Sequence, residues 1–198
     1  MPFHRLTALF LAATLLGAPI LCAPGAARAE KSDTALIVIA VAEKDETDAV
    51  VEVSREEVKA AVHAASLSLK SGKRGRIWCV PFARAVSGIE IKGDAATWWK
   101  KAGDLYQRGQ VPASGAVLTF RSTSKMPKGH VAVVSQVIDD RTILVDQANW
   151  VRNRITTDTL VVDVSPENDW SQVRVAYSGT ALGRVSPTFG FIYPARRS

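Results

Sequence analysis

The sequence predicts an α+β protein in which N-terminal helices pack on an antiparallel β-sheet. Apolar residues recur at helical spacing in the first half of the chain, and from Gly115 onward the apolar period changes to two. Helices and strands that do not alternate along the chain are typical of an α+β architecture. The 198 residues, 47% hydrophobic and 22% charged, suffice for about one domain with an appendage.

Three segments carry helix signals. The first covers residues 55–70, where Ser54–Glu57 has the form of a capping box that precedes an apolar stripe. The second is Cys79–Gly88, in which Pro81 falls in the first turn, the only turn that tolerates proline. The third is Asp94–Tyr106, which begins at a capping residue and has an apolar face. All three precede the segment of period two.

Six later segments are predicted strands because they are rich in β-branched or aromatic residues and are bounded by Gly, Pro, Asp and Ser. They are Ala116–Arg121, His130–Ile138, Thr142–Trp150, Leu160–Val164, Val173–Tyr177 and Phe189–Tyr193. An apolar run near the N-terminus, Ala35–Ala42, has the composition of a further strand.

The N-terminus has the pattern of a secretory signal peptide. His4 and Arg5 precede the apolar run Leu6–Leu21, and the small-residue pattern Ala27–Ala29 follows. The run is short for a membrane span, which needs about 20 apolar residues. We therefore expect cleavage after Ala29, a secreted or periplasmic protein, and no stable membrane anchor.

Such cleavage removes Cys22 and leaves Cys79 as a lone thiol. One cysteine cannot form an internal disulfide, and a lone Cys with a His elsewhere is the pattern of a candidate nucleophile. A buried structural cysteine is the alternative, because free cysteines are among the most buried residues. The predicted helix start favours the nucleophile, since the backbone N–H groups and the helix dipole stabilise a thiolate there.

Two histidines remain after cleavage, and they differ in context. His63 lies off the apolar stripe of the first helix, which indicates a solvated side chain. His130 opens a strand whose hairpin turns at Asp139–Arg141, so that paired residue numbers should sum to about 280. This register brings His130 near Asn149, and alternation puts both on one face with Gln147.

By the same alternation, Asp146 and Ala148 should point to the opposite face of the hairpin. An amide on the His130 face can hold the imidazole in one tautomer by accepting its ring N–H. Either Gln147 or Asn149 could do so. The alternative is a row of polar residues on a solvated sheet face.

The net charge of +6 and the isoelectric point of about 9.5 favour an anionic partner. Such a partner could be nucleic acid, a membrane surface or an acidic wall polymer. Nucleic acid is disfavoured because the only local basic cluster is Lys73–Arg76, and such a cluster is more often a solvated loop. Export would also separate the protein from nucleic acid.

Several ordered motifs resemble those of CHAP domains, the cysteine, histidine-dependent amidohydrolases and peptidases. They are Cys79 at a helix start, Gly93–Trp98, Pro112–Val117, Gly129–Val134 and Gln147–Trp150. The similarity runs from about Arg76 to Pro194. It implies a papain-like fold of the NlpC-related superfamily and a peptidoglycan substrate, with no metal or other cofactor for the bond-breaking step.

By this resemblance Cys79 is the nucleophile, His130 the general base, and Gln147 or Asn149 the orienting residue. The chain is then divided into a signal peptide (1–29), an extension with one helix (30–74) and a CHAP-like catalytic domain (75–198). The implied function is an exported amidase or endopeptidase of peptidoglycan, and no protein partner is indicated. The alternative is a catalytically weak or inactive wall-binding or adaptor protein, because Gln147 replaces a residue that is usually acidic in the family.

Overall fold

A computed structural model describes residues 50, 52–71 and 76–195, all within the compact unit Lys44–Ser198. The predicted signal peptide, the predicted strand Ala35–Ala42 and most of the basic cluster Lys73–Arg76 lie outside the described residues. The division of the chain at residues 29 and 74 therefore stays a prediction.

The helices of the described residues lie in the first half of the chain. They are α1 (Arg55–Ser71), α2 (Cys79–Ser87) and α3 (Trp98–Ala102), the last preceded by a 3-10 turn at Ala95–Thr97. The first two helix predictions are confirmed. The third helix is shorter than predicted, because the backbone N–H groups of Leu105 and Tyr106 both donate to the Ala102 carbonyl and close the helix in a turn. None of these described helices has the length and apolar character that crossing a bilayer requires.

Local sequence explains where the first two helices begin and end. At the start of α1, Ser54 Oγ accepts the backbone N–H of Glu57 at 3.2 Å, and Glu57 Oε2 accepts the N–H of Ser54 at 3.1 Å. This is the predicted capping box. At the end of α2, Gly88 has a φ of 73° and donates its N–H to the Arg84 carbonyl at 3.0 Å, a left-handed closure that suits glycine.

All strands of the described residues are antiparallel to their neighbours. They are β1 (Arg108–Gly109), β2 (Val117–Phe120), β3 (His130–Asp139), β4 (Thr142–Ala148), β5 (Ile155–Asp163), β6 (Gln172–Ser178) and β7 (Ala181–Ile192). Each of the six predicted strands has a counterpart. β5 and β7 begin well before the predicted strands at Leu160 and Phe189, and β1 was not predicted.

The sheet closes on itself, so the predicted papain-like α+β fold, with N-terminal helices packed on an antiparallel β-sheet, is wrong. The order β7-β2-β3-β4-β5-β6 returns to β7, which forms a six-stranded antiparallel barrel among the described residues, with β1 as a short extra strand on β7. Closure depends on the length of β7. Its first half, through Pro187, pairs with β6, and its second half, from Thr188, pairs with β2.

The β3–β4 hairpin has the predicted register. Val133 pairs with Asp146 and Val137 with Ile143, so paired residue numbers sum to about 280. Alternate residues of these strands face two separate cores.

One core fills the barrel and the other lies between the barrel wall and the helices. The interior core includes Ala132 and Val134 of β3, whereas Val131 and Val133 face α1 and α2. Even-numbered residues at the start of β3 therefore point into the barrel. This alternation assigns His130, the first residue of β3, to the interior face.

A buried carboxylate joins α1 to the outer face of the barrel. Asp146 is fully buried, and both of its oxygens accept from Lys59 Nζ at 2.8 Å. The backbone N–H of Asp158 also donates to Asp146, and the exposed Asp158 carboxylate pairs with Lys59 and Arg55 at 2.8 Å. Asp146 thus lies on the face opposite Gln147, as predicted.

Asp146→Asn should lower the free energy of unfolding by about 2 to 3 kcal/mol, because it leaves the Lys59 ammonium without its buried counter-charge. The loss is limited because the Lys59 side chain is partly accessible to water. Urea unfolding measures the loss. Asp158→Asn is the matched control and should cost less than about 1 kcal/mol, since its side chain is 43% exposed. Equal losses in the two variants would show that the buried pair does not anchor α1.

Candidate active site

One cleft of about 870 Å³ brings together three of the four residues predicted for the site. Cys79 enters it from the start of α2, His130 from the start of β3, and Asn149 from just beyond β4. The fourth, Gln147, is fully buried behind His130. Helix and strand ends therefore converge at one mouth of the barrel.

Cys79 is the first residue of α2, as the sequence predicted. Trp78 precedes it with an extended backbone and makes no side-chain cap, so the helix start has no side-chain acceptor. Pro81 occupies the first turn, where its missing N–H leaves no partner unsatisfied. The thiol is half-buried.

Burial raises the pKa of the Cys79 thiol above its ordinary value, and the negative charge of Asp94 acts in the same direction. Hydrogen bonds to the backbone of Val131, Val80 and Cys79 itself lower this pKa but do not offset burial. The backbone groups at the helix start thus stabilise the thiolate as expected, yet the pKa of Cys79 is raised overall, whereas a lowered pKa was expected. The free thiol is therefore protonated at neutral pH.

The position of His130 depends on the preceding glycine, which packs against the 3-10 turn at Ala95–Thr97. Gly129 has a φ of 65°, and a Cβ there would lie 2.7 Å from the backbone nitrogen of Ala96. The Ala96 N–H in turn donates to the Lys128 carbonyl at 2.8 Å. Only glycine permits this close contact, which fixes the chain immediately before His130.

The His130 ring is surrounded by aromatic side chains and is only 4% exposed. Its centroid lies 5.5 Å from that of Phe120, in an edge-on arrangement, and 5.1 Å from that of Trp150. These rings exclude water from one side of the imidazole and leave it few polar neighbours.

Gln147 supplies the hydrogen bond to the ring. His130 Nε2 lies 2.9 Å from Gln147 Oε1, an oxygen that can only accept, so Nε2 carries the proton and Nδ1 keeps its lone pair. Burial lowers the pKa of His130 to about 4, although the bond to Gln147 acts in the raising direction. The imidazole is therefore neutral at neutral pH.

Cys79 and His130 line the same cleft as a neutral thiol and a neutral imidazole. No hydrogen bond joins them in the described part of the chain, and neither alters the pKa of the other. Catalytic hydrogen bonds are often long before substrate binds and tighten in the complex. Nδ1 of His130 can accept the proton of the Cys79 thiol once the sulfur and the ring approach each other.

Among the described residues, the hydrogen bond to the imidazole comes from Gln147, whereas Asn149 bonds elsewhere. It lies one residue past the end of β4 with a φ of 64°, and its Oδ1 accepts the backbone N–H of Asn153 at 2.8 Å. Asn153 Oδ1 in turn accepts the backbone N–H of Ile77 at 2.8 Å, two residues before Cys79. The two asparagines therefore fasten the β4–β5 turn to the segment that leads into α2.

The second histidine lies away from the cleft. His63 is exposed on α1, in agreement with the predicted solvated position. Among the described residues, no three His, Cys, Asp or Glu side chains lie close enough together to hold a metal ion.

Sequence reasoning missed two parts of the cleft. The contact of Trp150 with His130 was not foreseen, although Trp150 is the last residue of the Gln147–Trp150 motif. The wall formed by β6 and β7, which includes Tyr177 and Arg184, was also missed. Nothing local in the sequence indicates it, because barrel closure brings it to the site.

Comparison with known families gives one match. The model of the CHAP domain matches residues 71–149, a range that contains Cys79, His130, Gln147 and Asn149. No curated protein is significantly similar to the chain. CHAP domains are generally hydrolases or peptidases, and the match indicates a function related to peptidoglycan hydrolysis. The resemblance to CHAP domains seen in the motifs is thus confirmed over residues 71–149.

Proposed function

We propose that the chain is an exported cysteine hydrolase that cleaves amide bonds in peptidoglycan, either as an amidase or as an endopeptidase. The observation that carries the proposal is a thiol at a helix start that shares a cleft with a histidine held through its other ring nitrogen by Gln147. This arrangement supports a cysteine nucleophile with His130 as its base and Gln147 as the residue that orients the base.

In the proposed reaction, His130 Nδ1 accepts the Cys79 proton as sulfur attacks the carbonyl carbon of the scissile amide. The tetrahedral intermediate collapses when the imidazolium returns this proton to the leaving nitrogen, so the C–N bond breaks, an amine departs and a thioester remains. Water then attacks the thioester, His130 accepts its proton and passes it to sulfur, and a carboxylic acid leaves. The backbone N–H groups around sulfur are well placed to stabilise the developing oxyanion.

Gln147 is the orienting residue in this proposal. Its oxygen favours the tautomer with the proton on Nε2, which leaves Nδ1 free to act as the base. Its neutral amide stabilises an imidazolium less than a carboxylate would. Asn149 acts instead through the turn that it closes with Asn153.

Export is part of the proposal and rests on the N-terminal sequence alone. The basic residues, apolar run and small-residue pattern before Glu30 support a secretory signal peptide and a secreted or periplasmic location, where peptidoglycan is accessible.

One observation favours the second candidate, a weak or inactive wall-binding or adaptor protein. The pKa of Cys79 is raised and that of His130 is lowered to about 4, and both directions disfavour the thiolate–imidazolium pair. Release of new amino groups from isolated peptidoglycan distinguishes the candidates, because an adaptor binds the polymer and releases none.

Cys79→Ala and His130→Ala should each lower hydrolysis of isolated peptidoglycan by about 1,000-fold or more, because one removes the nucleophile and the other its base. New amino groups measure the rate, and thermal unfolding checks that the variants fold. His63→Ala is the matched control and should change the rate less than about twofold, since its side chain is exposed on α1. Undiminished hydrolysis by Cys79→Ala would refute the cysteine mechanism.

Gln147→Ala should lower kcat by about 10- to 100-fold, the usual cost of losing a partner that orients a reacting group. Gln147→Glu should hold or raise activity, because a carboxylate raises the pKa of His130 and stabilises its charged form. The pH dependence of kcat measures this change in the pKa of His130. A larger loss in Asn149→Ala than in Gln147→Ala would transfer the orienting role to Asn149.

The exported protein should begin at Glu30 and carry no lipid on Cys22. Mass spectrometry of the processed protein gives its mass and N-terminus. An N-terminus at Cys22 bearing acyl chains would contradict the proposed location.

A further inference from the structure

The cleft has a second wall that lies outside the matched CHAP range. Residues 71–149 supply Cys79, His130 and the loop before β3, whereas β6 and β7 supply Tyr177 and Arg184. None of the catalytic roles proposed above falls on this second wall. It lines the same cleft as Cys79 and His130.

The backbone of this wall departs from regular pairing at the cleft. A register shift between β6 and β7 sets two residues of β7, Gly183 and Arg184, against the single β6 residue Val175. All three line the cleft. A bulge of this kind redirects a side chain out of the regular alternation, and bulges are enriched next to active sites.

The charges along the cleft are unbalanced. Among the described residues that line the cleft, Asp94 is the only carboxylate, and it pairs with Lys128 at 3.4 Å. Lys125, in the loop before β3, and Arg184 also line the cleft, and neither forms an ion pair among the described residues. Two unpaired cations in one concave site focus a positive potential on whatever occupies it.

Exposed aromatic side chains on both sides of the cleft suit an extended peptide. Tyr177 is 70% exposed and lines the cleft beside Arg184, and Trp78, which is 42% exposed, lines it beside Cys79. Exposed aromatic rings offer rigid apolar contacts, and a guanidinium binds a carboxylate through two parallel N–H bonds.

We infer that Arg184, with Lys125, is a specificity determinant that binds free carboxylate groups of the peptidoglycan stem peptide and thereby positions the scissile amide at Cys79. The inference rests on the proposed function and adds to it a preference for anionic over amidated stem peptides. Arg184 and Lys125 take no part in proton transfer, so their removal should act mainly on KM.

The test compares a soluble wall-peptide fragment having free carboxylates with the same fragment after amidation. For the unaltered enzyme, amidation should lower kcat/KM about tenfold, mainly through KM, since a hydrogen-bonded charge pair is lost. Arg184→Gln should lose about tenfold on the carboxylate fragment and little on the amidated one. Lys125→Gln should show the same pattern more weakly, because an ammonium offers a single point charge.

Lys100→Gln is the matched control, because this exposed lysine of α3 does not line the cleft and should leave the preference intact. Equal cleavage of the two fragments by the unaltered enzyme would overturn the inference. An equal loss on both fragments in Arg184→Gln would also overturn it.

Binding of the same fragments to Cys79→Ala separates this inference from the proposed function. If the unaltered enzyme cleaves neither fragment, the proposed hydrolysis fails, and the binding of the fragments to Cys79→Ala alone decides the inference. Carboxylate recognition is supported if amidation weakens binding to Cys79→Ala about tenfold and if adding Arg184→Gln abolishes this difference between the fragments. Equal binding of the two fragments to Cys79→Ala refutes it.

Discussion

The candidate site depends on one buried hydrogen bond, from His130 Nε2 to Gln147 Oε1 across the β3–β4 hairpin. Its two residues meet because the hairpin register places them on the interior face of the same strand pair. Gly129 then holds the start of β3 against Ala96, and the rings of Phe120 and Trp150 enclose the imidazole. A shift of one residue in the pairing of β3 with β4 would place His130 and Gln147 on opposite faces of the sheet.

Burial, more than hydrogen bonding, sets the charge state of the site. The pKa of His130 falls from 6.5 to about 4, a difference worth about 3 kcal/mol that the neutral amide of Gln147 does not recover. The same effect raises the pKa of Cys79 despite the backbone hydrogen bonds at its sulfur. The free site is therefore a neutral pair, and ionisation has to accompany the approach of substrate in the proposed reaction.

Local sequence signals predicted those parts of the site that depend on local structure. The capping box at Ser54, the helix start at Cys79 and the turn at Asp139–Arg141 each follow from a few neighbouring residues, and all three are confirmed. The turn and the alternation of strand side chains together predicted that His130 and Gln147 share a face. Asn149 was expected on this face as well, but β4 ends at Ala148 and Asn149 adopts a left-handed conformation beyond it.

Barrel closure and burial depend on contacts between distant residues, and the sequence pattern did not reveal them. The first half of β7 contains Gly183 and Pro187, which interrupt a strand pattern, so the 12-residue strand that pairs with both β6 and β2 was not foreseen. The cleft wall with Tyr177 and Arg184 follows from this closure. The rise in the pKa of Cys79 was not predicted either, because the burial of the thiol depends on how α2 packs on the barrel.

The candidate site depends on a buried, neutral His130 imidazole whose Nε2 proton is held by Gln147 Oε1. An NMR titration of the ¹⁵N-labelled ring measures both the tautomer and the pKa. We predict the Nε2–H tautomer at neutral pH and a pKa of about 4 for His130, well below the ordinary histidine value. A His130 pKa at or above the ordinary value of 6.5, or a proton on Nδ1 at neutral pH, would contradict this account.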